Sequence, residues 1–394
     1  MIAPRPTTRS ALLFMALSVV AISAGVCHAQ SDALSATHEM TVNVNEAGKF
    51  SEEKKGEQGG APEKKTNFVV LPIPQSNPAL GSGLTLVGLA LYNPNASERP
   101  WVSGVAVMKA GSSTMVGLVQ SATFMQNRLR VTAGIGHADL DLKFYGIGTA
   151  AGERGVSIPL NQVGTGGMVQ ALYQVGDHWF LGLRYQNVHL KSAMDLSQLP
   201  GIGAVIPEAD LRRTTASLGP AVEYDTRDDS FYPTTGTYAK ANLNFFTSAF
   251  GSDVSFRQFS ASWNRYWPYS AGTIIAARVA TCVVGGNVPF SDLCMYGRSN
   301  DLRGYTTGQY RDKAMLAAQA EVRWSLAHRW GAVAFGGIGT IGPSFAELPQ
   351  QKMLPSLGAG LRWQASKDYK VNVSLDVAFT KDDRAVYLYV GEAF

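Results

Sequence analysis

Charged residues are scarce in this 394-residue sequence: Asp, Glu, Lys and Arg make up 16%, against about 25% in an ordinary soluble domain. Beyond the first 26 residues no apolar run reaches the about 18 residues of a membrane-spanning helix, which excludes a helical membrane bundle. Glycine shows no period of three and aromatic residues make up 10%, which excludes collagen-like and disordered chains. A net charge of +4 is too small to indicate a nucleic-acid partner.

The N-terminus has the pattern of an export signal. Arg5 and Arg9 precede a 16-residue apolar run, 11–26, which is followed by Cys27-His28-Ala29. A basic start, an apolar middle and small residues predict a cleaved secretory signal peptide over residues 1–29. A transmembrane anchor is the weaker interpretation, because the run is short and no charge cluster follows it.

The segment 30–66 has a different composition from the rest of the chain. It contains seven acidic residues, five lysines and one aromatic residue, Phe50. Such a composition cannot bury enough apolar surface to offset the loss of chain entropy. The sequence therefore predicts a disordered periplasmic tether over 30–66, followed by a single folded domain over 67–394.

Cysteine is nearly absent, with three residues in the chain. Removal of the signal peptide with Cys27 would leave Cys282 and Cys294. In an oxidising compartment these two could form a disulfide, and the alternative is two unpaired buried thiols.

Apolar and polar residues alternate throughout the predicted domain. In 369–379, for example, Val373, Leu375 and Val377 alternate with Ser374 and Asp376. Successive side chains of a strand point to opposite faces, so each strand has one apolar and one polar face. Strands of about 10 residues or more, with charged residues on the polar face, favour a transmembrane barrel with a wet lumen over a soluble sandwich.

The predicted strands number sixteen, as an even-numbered single-chain barrel requires. Their approximate starts are 83, 101, 113, 128, 141, 160, 178, 213, 237, 253, 271, 313, 330, 353, 369 and 384. Aromatic residues gather at strand ends, where interfacial girdles lie: Trp101, Trp179, Trp267, Trp330 and Tyr369. Eleven strands precede one long connection, 284–312, and five follow it. The fold class is thus an all-β, 16-stranded antiparallel transmembrane β-barrel with a long loop between strands 11 and 12.

Three stretches carry a family resemblance. Tyr224-Asp225-Thr226-Arg227-Asp228-Asp229-Ser230-Phe231-Tyr232-Pro233, with Gly236, forms a strand–turn–strand signature, and Leu302-Arg303-Gly304-Tyr305 lies in the long loop. The last residues, Val390-Gly391-Glu392-Ala393-Phe394, form an aromatic terminal signal. Together they resemble the bacterial surface antigen family, the barrels of BamA, TamA and related outer-membrane assembly factors. The resemblance covers about 68–394 and implies the bacterial outer membrane as the location.

Arg303 is the central residue of the predicted site. An arginine on a loop that folds into a barrel must meet a carboxylate, because an unpaired buried charge is costly. Glu321 lies on the polar face of the next strand and matches the acid that the family carries there. We therefore expect an Arg303–Glu321 pair, with Gly304 allowing close backbone approach and Tyr305 packing on the inner wall. The alternative is an exposed loop arginine.

The sequence departs from the family at two places. Gly337 stands where the family has an Asp that also pairs with the loop arginine, so we expect the loop to lack one anchor. The segment 30–66 is too short and too polar to form one of the POTRA domains that receive client chains in the assembly factors. The resemblance thus implies a barrel without POTRA domains.

Catalytic signatures are absent from the sequence. It contains no Gly-x-Ser-x-Gly, no His-Glu-x-x-His and no Walker loop, so we expect no enzyme activity and no cofactor. Asp225, Asp228 and Asp229 could hold a metal ion. The adjacent Arg227 favours a turn held by a salt bridge and by carboxylate–backbone hydrogen bonds, and hence no metal.

Two functions from different classes follow. The first is insertion or translocation of client outer-membrane proteins, in which the first strand, 83–92, and the last, 384–394, separate as a lateral gate and template a client strand. The second is a passive channel or a lipid- or partner-binding barrel, in one form a homodimer. A porin would fit the barrel but neither motif. Outer-membrane lipid and lipopolysaccharide are expected partners of either function, and nucleic acid is not.

Overall fold

A computed structural model describes residues 67–77, 79–92, 94, 101–194, 211–229, 232–297, 301–366, 371–381 and 384–394. The predicted signal peptide and tether lie outside the described residues. So does Tyr369.

The described residues form a closed antiparallel barrel of sixteen strands in which each strand pairs with its neighbours in the chain and the last pairs with the first. Its strands are β1 (Asn67–Asn77), β2 (Gly81–Tyr92), β3 (Trp101–Ala110), β4 (Ser113–Phe124), β5 (Leu129–Phe144), β6 (Ile158–Gly176), β7 (Trp179–Met194), β8 (Arg212–Asp225), β9 (Gly236–Phe246), β10 (Phe256–Ser270), β11 (Thr273–Gly286), β12 (Ala314–Ser325), β13 (Trp330–Gly342), β14 (Leu354–Ser366), β15 (Val371–Phe379) and β16 (Arg384–Val390). The predicted fold class is confirmed.

The connections that the structure describes contain short helical turns and one two-stranded pair. One α-helix, α1 (Thr149–Arg154), follows β5, and 3₁₀ turns occupy Ser248–Phe250, Phe290–Asp292 and Phe345–Gln350. Two-residue strands, Cys294–Met295 and Arg311–Asp312, pair within the long loop that joins β11 to β12. In the part of the chain that the structure describes, no helix has the length and apolar character needed to cross a membrane.

The strand number agrees with the prediction through two errors that cancel. The first strand is β1, not the segment starting at 83. The prediction missed these 11 residues because Pro72 and Pro74 argue against a strand. The predicted starts at 128 and 141 belong to one strand, β5, whose 16 residues exceed the expected span. The last strand ends at Val390 rather than Phe394. The expected gate strands, 83–92 and 384–394, are therefore wrong in their bounds.

The outer face of the barrel is apolar, as the alternation predicts. Leu181, Leu183 and Tyr185 on β7 and Leu357 and Leu361 on β14 are exposed on this face. In a membrane these side chains contact hydrocarbon, and the closed order gives each described barrel strand a neighbour on both sides. Tryptophan lies at the ends of β3, β7 and β13 and near the end of β10, as expected for interfacial girdles.

The inner face has two distinct parts. On β12 and β15 it carries buried charged residues, among them Glu321 and Asp376. On β2–β4 it is apolar instead, with a buried cluster that includes Val87, Val102 and Val119. The predicted polar inner face is thus wrong for this part of β2–β4, whose inward residues in the cluster are apolar.

Candidate functional site: the loop anchor in the barrel lumen

Arg303 lies fully buried inside the barrel, at 0% exposure. Its Nη2 donates to Glu321 Oε2 on β12 at 2.6 Å, and its Nη1 donates to Asp376 Oδ2 on β15 at 2.6 Å. Gln319 Oε1 accepts from the Arg303 backbone N–H and from Nε. The guanidinium lies 3.5 Å from the centroid of the Phe335 ring. The predicted Arg303–Glu321 pair is present, and Arg303 is not an exposed loop residue.

The second anchor of the loop comes from an unexpected strand. Gly337 indeed offers no carboxylate, but Asp376 on β15 supplies one, so the expectation of a missing anchor is wrong. A Cβ at Gly337 would lie 2.8 Å from Leu302 Cδ1 and 2.8 Å from Gln319 Cγ. The loop therefore packs into the space that a side chain on β13 would fill, and the acid is placed two strands away.

Gly304 and Tyr305 fix the loop against β14 and β16. Gly304 has a φ of +113°, and a Cβ there would lie 2.7 Å from Thr380 Cγ2. Its backbone N–H donates to Tyr387 Oη at 2.9 Å. Tyr305 Oη donates to the Pro355 carbonyl at 2.8 Å. Both residues thus lie where the sequence predicts, with Gly304 in close backbone approach and Tyr305 on the inner wall.

The arginine pair extends into a larger network that the sequence did not indicate. Arg323 Nε donates to Glu321 Oε1 at 2.6 Å, and Arg362 Nη1 donates to Asp376 Oδ1 at 2.5 Å. Glu392 connects the two arginines, at 2.8 Å from Arg362 Nε and 3.8 Å from Arg323 Nε. The result is a closed lumen charge ring of alternating sign: Arg303, Glu321, Arg323, Glu392, Arg362 and Asp376.

Because the six side chains of the ring are buried, each charge depends on its neighbours in the ring for compensation. Its side chains are between 0% and 4% exposed, so each charge has lost its hydration and is compensated by its neighbours in the ring. Removing one member leaves another buried charge short of a partner, which is strongly destabilising. Arg323 lies two residues after Glu321, so alternation puts it on the same inner face, but the sequence could not show that it joins a network with Asp376.

The terminal segment also enters the ring. Val390 is the last residue of β16, and Gly391, with a φ of +93°, turns the chain inward. Its N–H donates to the Asn372 carbonyl at 2.8 Å. The Phe394 main-chain oxygen accepts from Arg323 Nη2 at 2.6 Å. The predicted signal residues Val390, Gly391 and Phe394 therefore form a strand end and an inward turn, not one continuous strand.

The outer part of the long loop is fixed separately. Cys282 on β11 and Cys294 are joined by a disulfide, the first of the two alternatives that the sequence left open. The Arg311 carbonyl accepts from the Gly148 N–H at 2.9 Å, just before α1. Gln309 Nε2 donates to the Gly152 carbonyl within α1. The loop is thus covalently attached at its start and hydrogen-bonded to a neighbouring connection farther on.

The strand–turn–strand signature lies away from the ring, between β8 and β9. Asp225 Oδ1 accepts from the Arg227 backbone N–H at 3.1 Å and from its Nε at 3.0 Å. The Arg227 guanidinium lies 4.0 Å from the centroid of the Tyr238 ring, and the Tyr224 ring packs 4.7 Å from Trp179. A salt bridge and carboxylate–backbone hydrogen bonds of this kind are what the sequence predicts for a turn at this signature.

The remaining acids of the signature accept from the turn backbone. Asp228 Oδ1 accepts from the Thr234 and Thr235 N–H groups at 2.9 and 3.1 Å. Burial raises the pKa of Asp228, but the Thr234 and Thr235 hydrogen bonds outweigh it and hold the pKa below its usual value. Pro233 is buried, and a Cβ at Gly236 (φ +103°) would lie 2.2 Å from the Thr226 carbonyl oxygen.

Known proteins resemble this chain in fold and family. BamA from Haemophilus ducreyi lacking POTRA domains 1–3 matches with a TM-score of 0.56 at 15% identity, over 83% of this chain and 70% of that one. CdiB from Escherichia coli matches with a TM-score of 0.59 at 14% identity, over 84% and 63%. CdiB from Acinetobacter baumannii matches with a TM-score of 0.55 at 12% identity, over 84% and 60%. This chain therefore spans less than two thirds of either CdiB chain.

No curated protein sequence matches this chain. Among the described residues, no group of three or more His, Cys, Asp or Glu side chains is arranged to hold a metal ion.

The model of the Omp85 superfamily domain matches residues 111–385, which is more than half of the sequence. Together with the sixteen-stranded barrel and its anchored loop, this match shows that the chain belongs to the Omp85 superfamily.

Proposed function

We propose that this outer-membrane barrel inserts or translocates client outer-membrane proteins, and that the seam between β1 and β16 is its lateral gate. The role is physical, with no catalysis and no cofactor. Lipid of the outer membrane contacts the apolar outer face, and the client enters at the seam. The bounds of the gate strands are now those of β1 and β16.

The pairing at the seam carries this proposal. Within the described residues, β1 and β16 share a single paired position, Ser76 with Leu388. Every other neighbouring pair of barrel strands has seven or more paired positions, and β1 is paired with β2 along all of its 11 residues. A strand edge with few internal partners is a template for β-augmentation by an incoming strand.

The sequence of β1 supports the same conclusion. Pro72 and Pro74 have no N–H to donate, and because they are two residues apart both gaps fall on the same edge of β1. Proline in a sheet is confined to edge strands, strand starts and bulges. A first strand that carries two prolines is therefore suited to a seam that opens.

The lumen charge ring connects the loop to this seam. Tyr387 and Tyr389 belong to β16, and their hydroxyls contact Gly304 and Asp376. Movement of β16 away from β1 would disturb these bonds, so docking of the loop and closure of the seam are coupled in the proposal. In this proposal the charges of the ring therefore have a role beyond holding the loop.

A cross-link at the one paired position tests the gate. In Ser76→Cys/Leu388→Cys, oxidation joins β1 to β16, and we expect it to abolish insertion of a client barrel into liposomes. The matched control is Ser121→Cys/Thr132→Cys, at directly paired positions of β4 and β5, which should insert normally. Wild type is oxidised and reduced in parallel, because reduction also opens Cys282–Cys294.

A passive channel, the other function that follows from the sequence, is the second candidate. It predicts ion conductance that persists after the seam is locked, with no client insertion by any variant. Undiminished insertion by the locked protein would contradict the lateral gate.

A further inference from the structure

The outer face of β5–β8 changes from apolar to polar toward one end of the barrel. On β7 the outward residues Leu181, Leu183 and Tyr185 are exposed, and the outward positions that follow them are polar. One row of directly paired outward residues crosses the four strands: His137, Thr165, His189 and Thr214. Neighbours in this row are hydrogen-bonded between β5 and β6 and between β7 and β8. The row marks where this face leaves the apolar band.

Lys191 and Arg212 lie beyond this row and face each other directly across β7 and β8; we call them the basic pair. Both are exposed on the outer face, and within the described residues neither side chain forms a hydrogen bond or an ion pair. Directly opposed Cα atoms of antiparallel strands are about 4.5–5.5 Å apart, so two positive charges are held side by side. Like charges in this arrangement destabilise a sheet. An anion between them would turn this repulsion into attraction.

Carboxylates of the neighbouring elements are engaged elsewhere. Asp139 lies on β5, two strands from Lys191, and its Oδ1 accepts from Asn161 Nδ2 at 2.8 Å. Asp253, in the connection between β9 and β10, accepts at its Oδ2 from the Thr214 backbone N–H at 2.6 Å. Within the part of the chain that the structure describes, no carboxylate pairs with the basic pair, so its anion comes from outside these residues.

The height of the basic pair in the membrane indicates what this anion is. Trp179 lies at one interfacial girdle, and Lys191 follows it on β7 by 12 residues. At about 3.3 Å per residue and a tilt of about 40°, this distance corresponds to about 30 Å along the membrane normal. The hydrocarbon core is about 30 Å thick, so the basic pair lies at the headgroup level of the opposite leaflet. Beneath it, Leu183 and Leu181 offer an apolar strip to acyl chains.

The direction of β7 identifies this leaflet. Because neighbouring strands are antiparallel, β1, β7 and β11 run in the same direction, so β7 ends at the end of the barrel that carries the long loop. The sequence predicts a periplasmic tether before β1, at the other end. The basic pair therefore faces the outer leaflet of the outer membrane, whose glycolipid, lipopolysaccharide, carries phosphate groups on its lipid part.

We propose that Lys191 and Arg212 bind a phosphate group of lipopolysaccharide at the outer surface of β7 and β8. A guanidinium group binds phosphate through paired N–H donors, and a lysine adds a compact positive charge. The hydroxyl and imidazole groups of the row beneath lie between the phosphate and the acyl chains. The site is on the outside of the barrel, apart from the lumen charge ring, and does not rest on the lateral gate.

Native mass spectrometry of the full chain in a neutral detergent, titrated with lipid A, tests the site. Lipid A is the phosphorylated lipid part of lipopolysaccharide, and lipid A stripped of its phosphates is the matched probe with the same acyl chains. Wild type should bind the phosphorylated probe about 10-fold or more tightly, the difference expected for charged hydrogen bonds. Equal binding of the two probes, or binding of neither, would overturn the site. Equal or tighter binding of phosphatidylglycerol would contradict lipopolysaccharide as the ligand.

Variants of the basic pair locate the binding. Arg212→Gln should weaken binding of lipid A about 10-fold or more. Arg212→Lys, which keeps the charge but loses the paired donors, should give an intermediate affinity. Arg128→Gln removes the same charge from an exposed position at the other end of the barrel and should bind as wild type. Wild-type affinity in Arg212→Gln would overturn the site.

A stability measurement separates lipid binding from a structural role of the arginine. In detergent without lipid, Arg212→Gln should melt at or above the wild-type temperature, because it removes a contact between like charges. Added lipid A should raise the melting temperature of wild type more than that of the variant. Each variant is first checked for its folded, heat-modifiable band on a gel, and Lys191→Gln replaces Arg212→Gln if the latter does not fold. A lower melting temperature of the variant without lipid would contradict the proposal.

Discussion

Arg303 shows how one loop residue can depend on several strands. It is fully buried, and its two carboxylates come from β12 and β15. Each of these acids has a further arginine partner, Arg323 or Arg362, so the ring can lose one cation without leaving either acid alone. The cost of removing Arg303 is therefore that of a partly compensated buried pair.

We expect Arg303→Ala to lower the free energy of unfolding by about 3 kcal/mol, at the lower end of the range for breaking a buried pair. The reason is that Glu321 and Asp376 stay buried with one cation each instead of two. Thermal unfolding followed by loss of the heat-modifiable gel band measures the change. Arg257→Ala, an exposed arginine on β10, is the control. An unchanged melting temperature for Arg303→Ala would show that the ring does not hold the barrel together.

At this scale the sequence indicated half of the site. Alternation placed Glu321 on the inner face, and the loop motif supplied Arg303, so their pairing was predictable. Asp376 was on an inner face too, but Gly337 on β13 was the expected partner position. Which inner-facing residues meet depends on the registers of β12–β15 and on the path of the loop, and neither can be read from one strand at a time.

The turn between β8 and β9 is an element held by carboxylates. Asp228 accepts from two backbone N–H groups and from the Thr234 hydroxyl, and these bonds hold its pKa below the usual value. A carboxyl group whose pKa is lowered by folding stabilises the fold above its unfolded pKa of about 3.9. That contribution is lost as the pH falls through the folded-state pKa.

We expect Asp228→Ala to cost about 1 kcal/mol at pH 7, because backbone donors of the turn lose their acceptor. The difference in stability from wild type should shrink as the pH falls from about 4 through the lowered folded-state pKa, because the wild-type carboxylate then becomes protonated as well. Melting temperatures of both proteins across this pH range provide the measurement. Asp177→Ala, in the exposed turn between β6 and β7, should show neither effect. A difference that stayed constant down to low pH would contradict the role of the charge.

The predicted strand boundaries were wrong where a strand had an unusual composition or length. The prolines of β1 argue against a central strand, and β1 is paired along its length with β2 but at a single position with β16. The 16 residues of β5 exceed the length needed to span a membrane, so the prediction divided them. Period-two alternation predicts the faces of strands reliably, but it does not mark where a tilted or protruding strand ends.

The whole molecule depends on which environment covers each face of the sheet. Outward residues are apolar on strands all around the barrel, whereas the inner face is apolar on β2–β4 and charged on β12 and β15. Alternation alone could not reveal this asymmetry. A strand such as β3, which is apolar on both faces, has the same sequence pattern as a strand buried in the core of a soluble protein. Closure into a barrel is what assigns the outward set to hydrocarbon.

Depth in the membrane provides the test of that assignment. Leu118 lies near the middle of β4 on the outer face and is 54% exposed. We expect Leu118→Arg to destabilise the barrel in lipid vesicles, reducing its free energy of unfolding by about 2–4 kcal/mol. The reason is that the arginine charge must enter hydrocarbon near the bilayer midplane. Thr114→Arg places the same charge on the same face near the strand end and should cost about 0–1 kcal/mol. Urea titrations of both variants in vesicles measure the difference, and equal costs would mean that hydrocarbon does not cover this face.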